Sequence, residues 1–205
     1  MPFRGVIRAI LILPIFATPV GIGYLGIAMF QEGTGPINGL LMKIAGWVGM
    51  NPSLLDIPWR SDPFWASMAI GMMATWQWMP FCFLILLAGV QGIPEELYES
   101  AYLETANQWL LFRFITLPLL RPILGITILL RMIEAWKIID VPFAFTKGGP
   151  GIATQTYTIY VWRNAFTSFD LGYASALGIL FLILVLVVVN LVIWIGNLRT
   201  SLFAE

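Results

Sequence analysis

Two sets of charged residues have the most chemistry within reach in this sequence. Arg131, Glu134, Lys137 and Asp140 alternate in sign at three-residue steps, and Glu95, Glu96, Glu99 and Glu104 put four carboxylates within ten residues. An arginine and a carboxylate side by side suit charge-assisted hydrogen bonds to a hydroxylated solute. The acidic set suits a basic groove on another protein. Neither set supplies a nucleophile with its base. The chain has no histidine, and Cys82 is its single cysteine. That removes a disulfide framework, Cys/His zinc sites and any Ser-His-Asp or Cys-His arrangement. Without a nucleophile–base pair or a ligand cluster, an intramembrane enzyme built on Arg131 and Glu134 has little to stand on.

The elements that position these groups follow from composition. Of 205 residues, 59% are hydrophobic and 11% charged; an average soluble domain carries about 25% charged residues. The mean hydropathy is +0.86. A soluble domain of this size could not hide that much apolar surface. Eleven basic residues balance eleven acidic ones, so the chain lacks the basic excess of a nucleic-acid binder. Nine Trp, six Tyr and fourteen Phe fit aromatic belts at membrane interfaces.

Charge-free runs locate the spans, because a charge at the bilayer centre costs about 2.5–3.5 kcal/mol on insertion scales. Arg8 to Glu32 encloses 23 uncharged residues, Asp62 to Glu95 encloses 32 and Asp170 to Arg199 encloses 28. A spanning helix needs about 20. Spans are therefore predicted at about 7–30, 64–91 and 172–197. A fourth is predicted at 117–145 despite its charges, because Ile123–Leu130 is uninterrupted and apolar. The first is read as retained rather than as a cleaved signal, with a kink at Pro14 and Pro19. The chain is thus expected to be an all-α, multi-pass membrane protein forming one domain, 1–205.

The connections differ in character. Residues 31–63 are rich in Gly, Pro and Asn, with an apolar patch at Leu40–Val48 expected along the interface. Residues 92–116 are polar and helical in pattern. Thr146-Lys147-Gly148-Gly149-Pro150-Gly151 is a strong turn signal, with a short helix expected at about 156–166. Charge sets orientation weakly. With 92–116 inside, five arginines face the cytoplasm and four basic residues face out.

By physics alone, the 92–118 segment supports two readings. Pro94 suits the first turn of a helix, and Glu95 and Glu96 suit its positive end. The helix is either a solvated connection or a peg for a basic groove on a soluble partner.

The motif itself narrows this. Glu99-Ser100-Ala101, Thr105, Ile115 and Leu117-Pro118 resemble the EAA loop of binding-protein-dependent ABC transporter permeases. The spacing matches throughout. Ser100 stands where the family has Ala, and Thr105 where it has Gly. Leu87-Ala88-Gly89-Val90-Gln91, the Thr146–Pro150 turn with Thr154, and Leu171-Gly172-Tyr173-Ala174-Ser175-Ala176 also resemble the sugar-type members. Members usually have six spans. The four here match the later ones, with Arg4–Leu13 resembling the start of the third, so the first two are expected to be missing.

The resemblance implies a permease subunit that couples ATP hydrolysis elsewhere to alternating access for a carbohydrate or polyol. The coupling loop, 92–118, would be cytoplasmic. Glu99 would pair with a basic residue of the ATPase, with Ala101 and Leu103 adding apolar contact and Ser100, Glu104 and Thr105 completing the motif. The chain has no Gly-x-x-x-x-Gly-Lys-Ser/Thr loop, so ATP and Mg would belong to a separate subunit. Further partners implied are a second permease subunit as heterodimer, an extracytoplasmic solute-binding protein facing 31–63 and 146–171, and membrane lipid. No nucleic acid is expected. The location implied is the bacterial or archaeal cytoplasmic membrane. A truncated, non-transporting remnant or scaffold is the alternative.

Candidate pathway residues are weighed against packing. Counted from Pro118 at about 1.5 Å per residue, Arg131 is ~20 Å deep and Asp140 ~33 Å. Arg131 and Glu134 are expected to line a polar path or to pair structurally, and Lys137 to snorkel. Trp136 could stack on a sugar face or serve the belt. Gln77, beside Trp76 and Trp78 and before Pro80, and Asn190 in the last span are the other polar candidates. Cys82 is expected to be a small buried hydrophobe.

Overall fold

The structure is a computed structural model that describes residues 9–103, 105 and 107–195. Helices dominate, and there is no strand among the described residues. In chain order they are α1 (Pro19–Met29), α2 (Pro36–Trp47), α3 (Pro63–Gln91), α4 (Glu95–Tyr102), α5 (Gln108–Trp136), α6 (Asp140–Thr146), α7 (Tyr157–Phe166) and α8 (Leu171–Ile195). Three of them, α3, α5 and α8, are long and apolar enough to cross a membrane. A fourth span exists if Ala9–Phe16 and α1 count as one, bent by 104°.

That bend sits where the two prolines predict it. Pro14 lies in a 3₁₀ turn at Leu13–Phe16, and Pro19 opens α1. Thr18 caps α1 by accepting the Gly21 N–H at 3.2 Å. The span predicted at 117–145 differs most from expectation. It starts at Gln108, where Asn107 Oδ1 accepts the Trp109 N–H at 3.0 Å, and it stops at Trp136. The chain breaks at 137–139 and restarts at Asp140 as α6. The four alternating charges therefore do not share one helix. Arg131 and Glu134 remain on α5, Lys137 falls in the break, and Asp140 opens α6. The helix expected at 156–166 is α7, capped by Thr156.

The described residues fall into two compact units, 9–80 with 137–178 and 81–136 with 179–195. The first is built on a close approach of α1 to α6. A Cβ added at Gly23 would stand 2.5 Å from that of Ala144, and one at Gly26 would meet Met73 Sδ. Ile22, Phe30, Trp59, Ala69, Met73, Val141 and Phe145 form the buried core around this contact. Its aromatic rings meet edge-on, Phe145 to Phe30 at 6.0 Å, Phe30 to Trp59 at 5.0 Å and Trp59 to Trp65 at 5.4 Å.

Polar pins hold the 31–62 connection onto that core. Glu32 accepts the backbone N–H of Arg60 and of Ser61, both at 2.8 Å, and the Ser61 hydroxyl at 2.8 Å. Asn38 is fully buried and spends its amide on Trp59 Nε1, Asp56 and the Ile57 carbonyl. The patch at Leu40–Val48 falls on α2, where Leu40, Ile44, Trp47 and Val48 are exposed. A second pinned loop follows α6. Lys147 takes a left-handed φ of 54° to end that helix. Arg163 of α7 then donates to the Lys147 carbonyl and to Gln155 Oε1, while Thr146 and Thr154 share a hydrogen bond of 2.6 Å.

The second unit packs α5 on the end of α3. Gly89 has no side chain because Ile123 and Leu120 occupy the space, at 2.7 Å and 2.9 Å from an added Cβ. Cys82 is half-buried rather than buried.

Two expectations follow. Gly23→Leu must push α1 from α6 and is expected to cost about 1–3 kcal/mol, the usual range for overpacking. Gly39→Ala in α2, with open space around it, is expected to stabilise by about 0.5–1 kcal/mol. Heat-induced loss of the folded monomer in detergent ranks the two variants. Burial alone would raise the Glu32 pKa, but hydrogen bonds from Arg60 and Ser61 and the Arg60 charge hold it below its ordinary value. A depressed carboxylate contributes stability above its unfolded pKa and loses it as pH falls through the folded one. The Arg60 and Ser61 amides are thus expected to lose exchange protection only as pH falls below the ordinary glutamate range. In Glu32→Ala that protection is already absent at neutral pH.

Candidate functional site

The motif residues sit on α4 and the turn after it. Eight residues are too few for a stable isolated helix in water, and α4 has no buried residue. Pro94 precedes its first turn with φ −56° and ψ 133°, and Glu95 and Glu96 occupy that turn. Glu99 and Ser100 are exposed, Ala101 is half-buried and Leu103 is 90% exposed. Glu104 lies outside the described residues.

Both departures from the family pattern make local hydrogen bonds. Ser100 Oγ donates to the Leu97 carbonyl at 3.1 Å, and Thr105 Oγ1 accepts the Asn107 N–H at 3.2 Å. The Thr105 N–H continues the turn by donating to the Ala101 carbonyl at 3.0 Å. A glycine at 105 could not hold Asn107 this way. Asn107 in turn caps α5, so Thr105 contributes to where that helix starts.

Sequence reasoning missed an aromatic group at this end. Trp109 and Phe112 stack at 5.7 Å with 28° between planes, and Tyr102 is half exposed. Tyr102 and Leu103 leave apolar surface exposed at the end of the acidic helix. A tryptophan placed two residues after a capping asparagine is the signal that could have found it.

The pathway candidates have varied surroundings. Arg131 and Glu134 are one turn apart on α5, and both are half-buried. Counted from Gln108, Arg131 lies about 35 Å along the helix and close to its far end. Trp136 is 39% exposed and lines a narrow cleft with Met132, Val185 and Val189. Its surroundings there are aliphatic. Asn190 is exposed, and its Nδ2 donates to the Leu186 carbonyl of its own helix at 2.8 Å. Gln77 belongs to the other unit, on α3 three residues before Pro80, and is 8% exposed.

Residues 1–198 match the family described as binding-protein-dependent transport system inner membrane component. The chain belongs to that family, and it is a multi-pass membrane protein. Among curated relatives it is 34% identical over 196 residues to the trehalose/maltose transport system permease protein MalF of Thermococcus litoralis. That match covers 96% of this chain and 63% of the relative. It is 36% identical over 173 residues to the sulfoquinovosyl glycerol transport system permease protein SmoG of Agrobacterium fabrum, covering 84% and 53%. It is 30% identical over 188 residues to the lactose transport system permease protein LacF of Rhizobium radiobacter, covering 90% and 61%. The chain thus spans little more than half the length of these relatives. Its fold is that of a chain in the crystal structure of a bacterial alginate ABC transporter in complex with an alginate pentasaccharide-bound periplasmic protein. There the TM-score is 0.80 at 22% identity, covering 93% of this chain and 64% of that one.

Proposed function

We propose that this chain is a permease subunit of an ATP-driven importer in a bacterial or archaeal cytoplasmic membrane, and that its solute is a carbohydrate or related polyol. One observation carries the reading: α4, the helix bearing Glu99, has no buried side chain yet is held at a fixed place between two spans. A helix so exposed and so placed has its own stability as its weakest justification. Its use is to be gripped. The solutes for which the relatives are named, trehalose and maltose, sulfoquinovosyl glycerol and lactose, support the solute class.

In this reading Glu99 meets a basic residue in a cleft of a separate ATPase subunit, which binds the ATP and Mg. Leu103 and Tyr102 add apolar contact beside it. Closure of the ATPase dimer pulls on α4 and rocks the spans as rigid bodies, alternating access to the solute path. Arg131 and Glu134 contribute polar groups to that path, because a buried charge kept in a span is costly unless it serves. A second permease subunit completes the path. A solute-binding protein docks on the extracytoplasmic side, at segments 31–63 and 146–171.

The test is co-purification in detergent with the ATPase and permease encoded beside this chain. Glu99→Lys reverses charge at an exposed position, so the chain is expected to fold. Recovered ATPase and solute-stimulated ATP hydrolysis are expected to fall by about tenfold or more, the scale of one interfacial charge pair. Normal stimulated hydrolysis by a folded Glu99→Lys complex defeats the reading. Arg131→Ala is expected to leave assembly intact and to cut uptake at limiting solute by about tenfold, the loss of one hydrogen bond to a charged group. Unchanged uptake would remove Arg131 from the path.

A further inference from the structure

A side-chain hydrogen bond joins α4 to the span that follows it, and it falls where the backbone bonding of that span departs from the α-helical pattern. Tyr98, on the turn before Glu99, is half-buried. Its hydroxyl lies 2.8 Å from Thr116 Oγ1. Among the described residues this is the one side-chain hydrogen bond that α4 makes to another helix. Thr116 is itself buried, at 8% exposure, so its hydroxyl has no ready alternative in water.

Thr116 ends an unusual piece of α5. Phe112–Thr116 is π-helical, and the Leu117 N–H reaches back five residues to the Phe112 carbonyl. Single π turns are rare and concentrate at functional positions. Pro118 and Pro122 follow at once, and neither has an amide hydrogen to give the ladder. Three departures from α-helical bonding thus fall within eleven residues, at the end of the span that carries α4. A helix bends where its ladder is incomplete. At the far end of this stretch, Leu120 and Ile123 pack against Gly89 of α3. The bonding pattern therefore changes between a fixed packed surface and a tethered helix.

We infer that the Tyr98–Thr116 hydrogen bond is a latch that passes displacement of the coupling helix into the π segment of α5, with Tyr98 as a positioning residue. Glu99 provides grip and Tyr98 provides transmission. Pulling α4 then loads Thr116 and shifts the register of Phe112–Thr116, while the part of α5 beyond Pro122 follows as a rigid rod. The inference rests on the coupling role proposed above. The bond itself does not depend on that role.

The test separates the two. In the first arm, amide hydrogen exchange is measured on the full chain alone in detergent. Tyr98→Phe removes one oxygen and keeps the ring. It is expected to raise exchange across residues 112–117 by about fivefold or more, the lower end of typical coupling. Exchange equal to wild type there overturns the latch, whether or not an ATPase ever binds.

In the second arm, the assembled complex is reconstituted in nanodiscs, and the stimulation of ATP hydrolysis by the loaded binding protein is read. Tyr98→Phe and Thr116→Val are each expected to cut the stimulation ratio about fivefold, and the double variant no further. Thr116→Ser, which keeps the hydroxyl, is expected to retain it. Independent, multiplying losses overturn the latch, because two partners of one bond cannot be lost twice. If wild type recruits no ATPase, the coupling role falls and the first arm alone decides whether the bond holds the π segment.

Discussion

Inside a bilayer a backbone amide or carbonyl has no water to turn to, and this requirement governs the rest of the structure. It decides where the thirteen prolines can stand. Three of them, Pro19, Pro36 and Pro63, open α1, α2 and α3, where the missing hydrogen would have had no partner anyway. Pro80 interrupts α3 but is almost wholly buried by protein. Pro118 and Pro122 fall in α5 beside a π turn that rearranges the neighbouring bonds. Polar side chains obey the same rule. Asn190 and Thr127 each return a hydrogen bond to a carbonyl four residues back on their own helix.

The spans were legible because charge is expensive in hydrocarbon. The boundaries of α3 at 63–91 and of α8 from 171 agree with the predicted spans at 64–91 and from 172 to within a residue. The bend before α1 was legible because proline chemistry is local. Both errors at α5 came from the opposite circumstance. Its start lies among Asn107, Gln108 and Arg113, which read as part of the polar connection before the span, and the Asn107 cap marks where the long helix begins. Its end was overrun because alternating charges at three-residue steps imitate a continuing helix. The break is instead held from a distance, by the Thr156 hydroxyl donating to the Ile138 carbonyl at 2.9 Å. Tyr98 was invisible for the same reason, since its partner lies eighteen residues away.

The candidate site divides along this line. The motif residues could be read from spacing, and those described lie on α4, which has no buried residue, and on the turn after it. The solute-path residues could be read only as polar exceptions in apolar spans. The structure then sorts them. Arg131 and Glu134 stay together on one helix, while Trp136 sits among valines and Asn190 is satisfied by its own backbone. The motif and the charged pair thus stand at opposite ends of α5, α4 joined to one end and Arg131 and Glu134 close to the other.

The pins on the 31–62 connection carry a different kind of consequence. Glu32 stands three residues after the end of α1, and it binds the chain at Arg60 and Ser61, just before α3. Asp56 closes a second ring inside the first by accepting from Gly33 and Asn38. Topologically the two helices are joined by a clasp a few residues long, and everything between hangs from it as a closed loop. The entropy of closing a loop grows only logarithmically with its length. The stretch at Gly49–Asn51, exposed and far from both pins in sequence, can therefore lengthen without altering the distance between the helices it connects. Chain length on this face is free to drift while the clasp keeps the geometry.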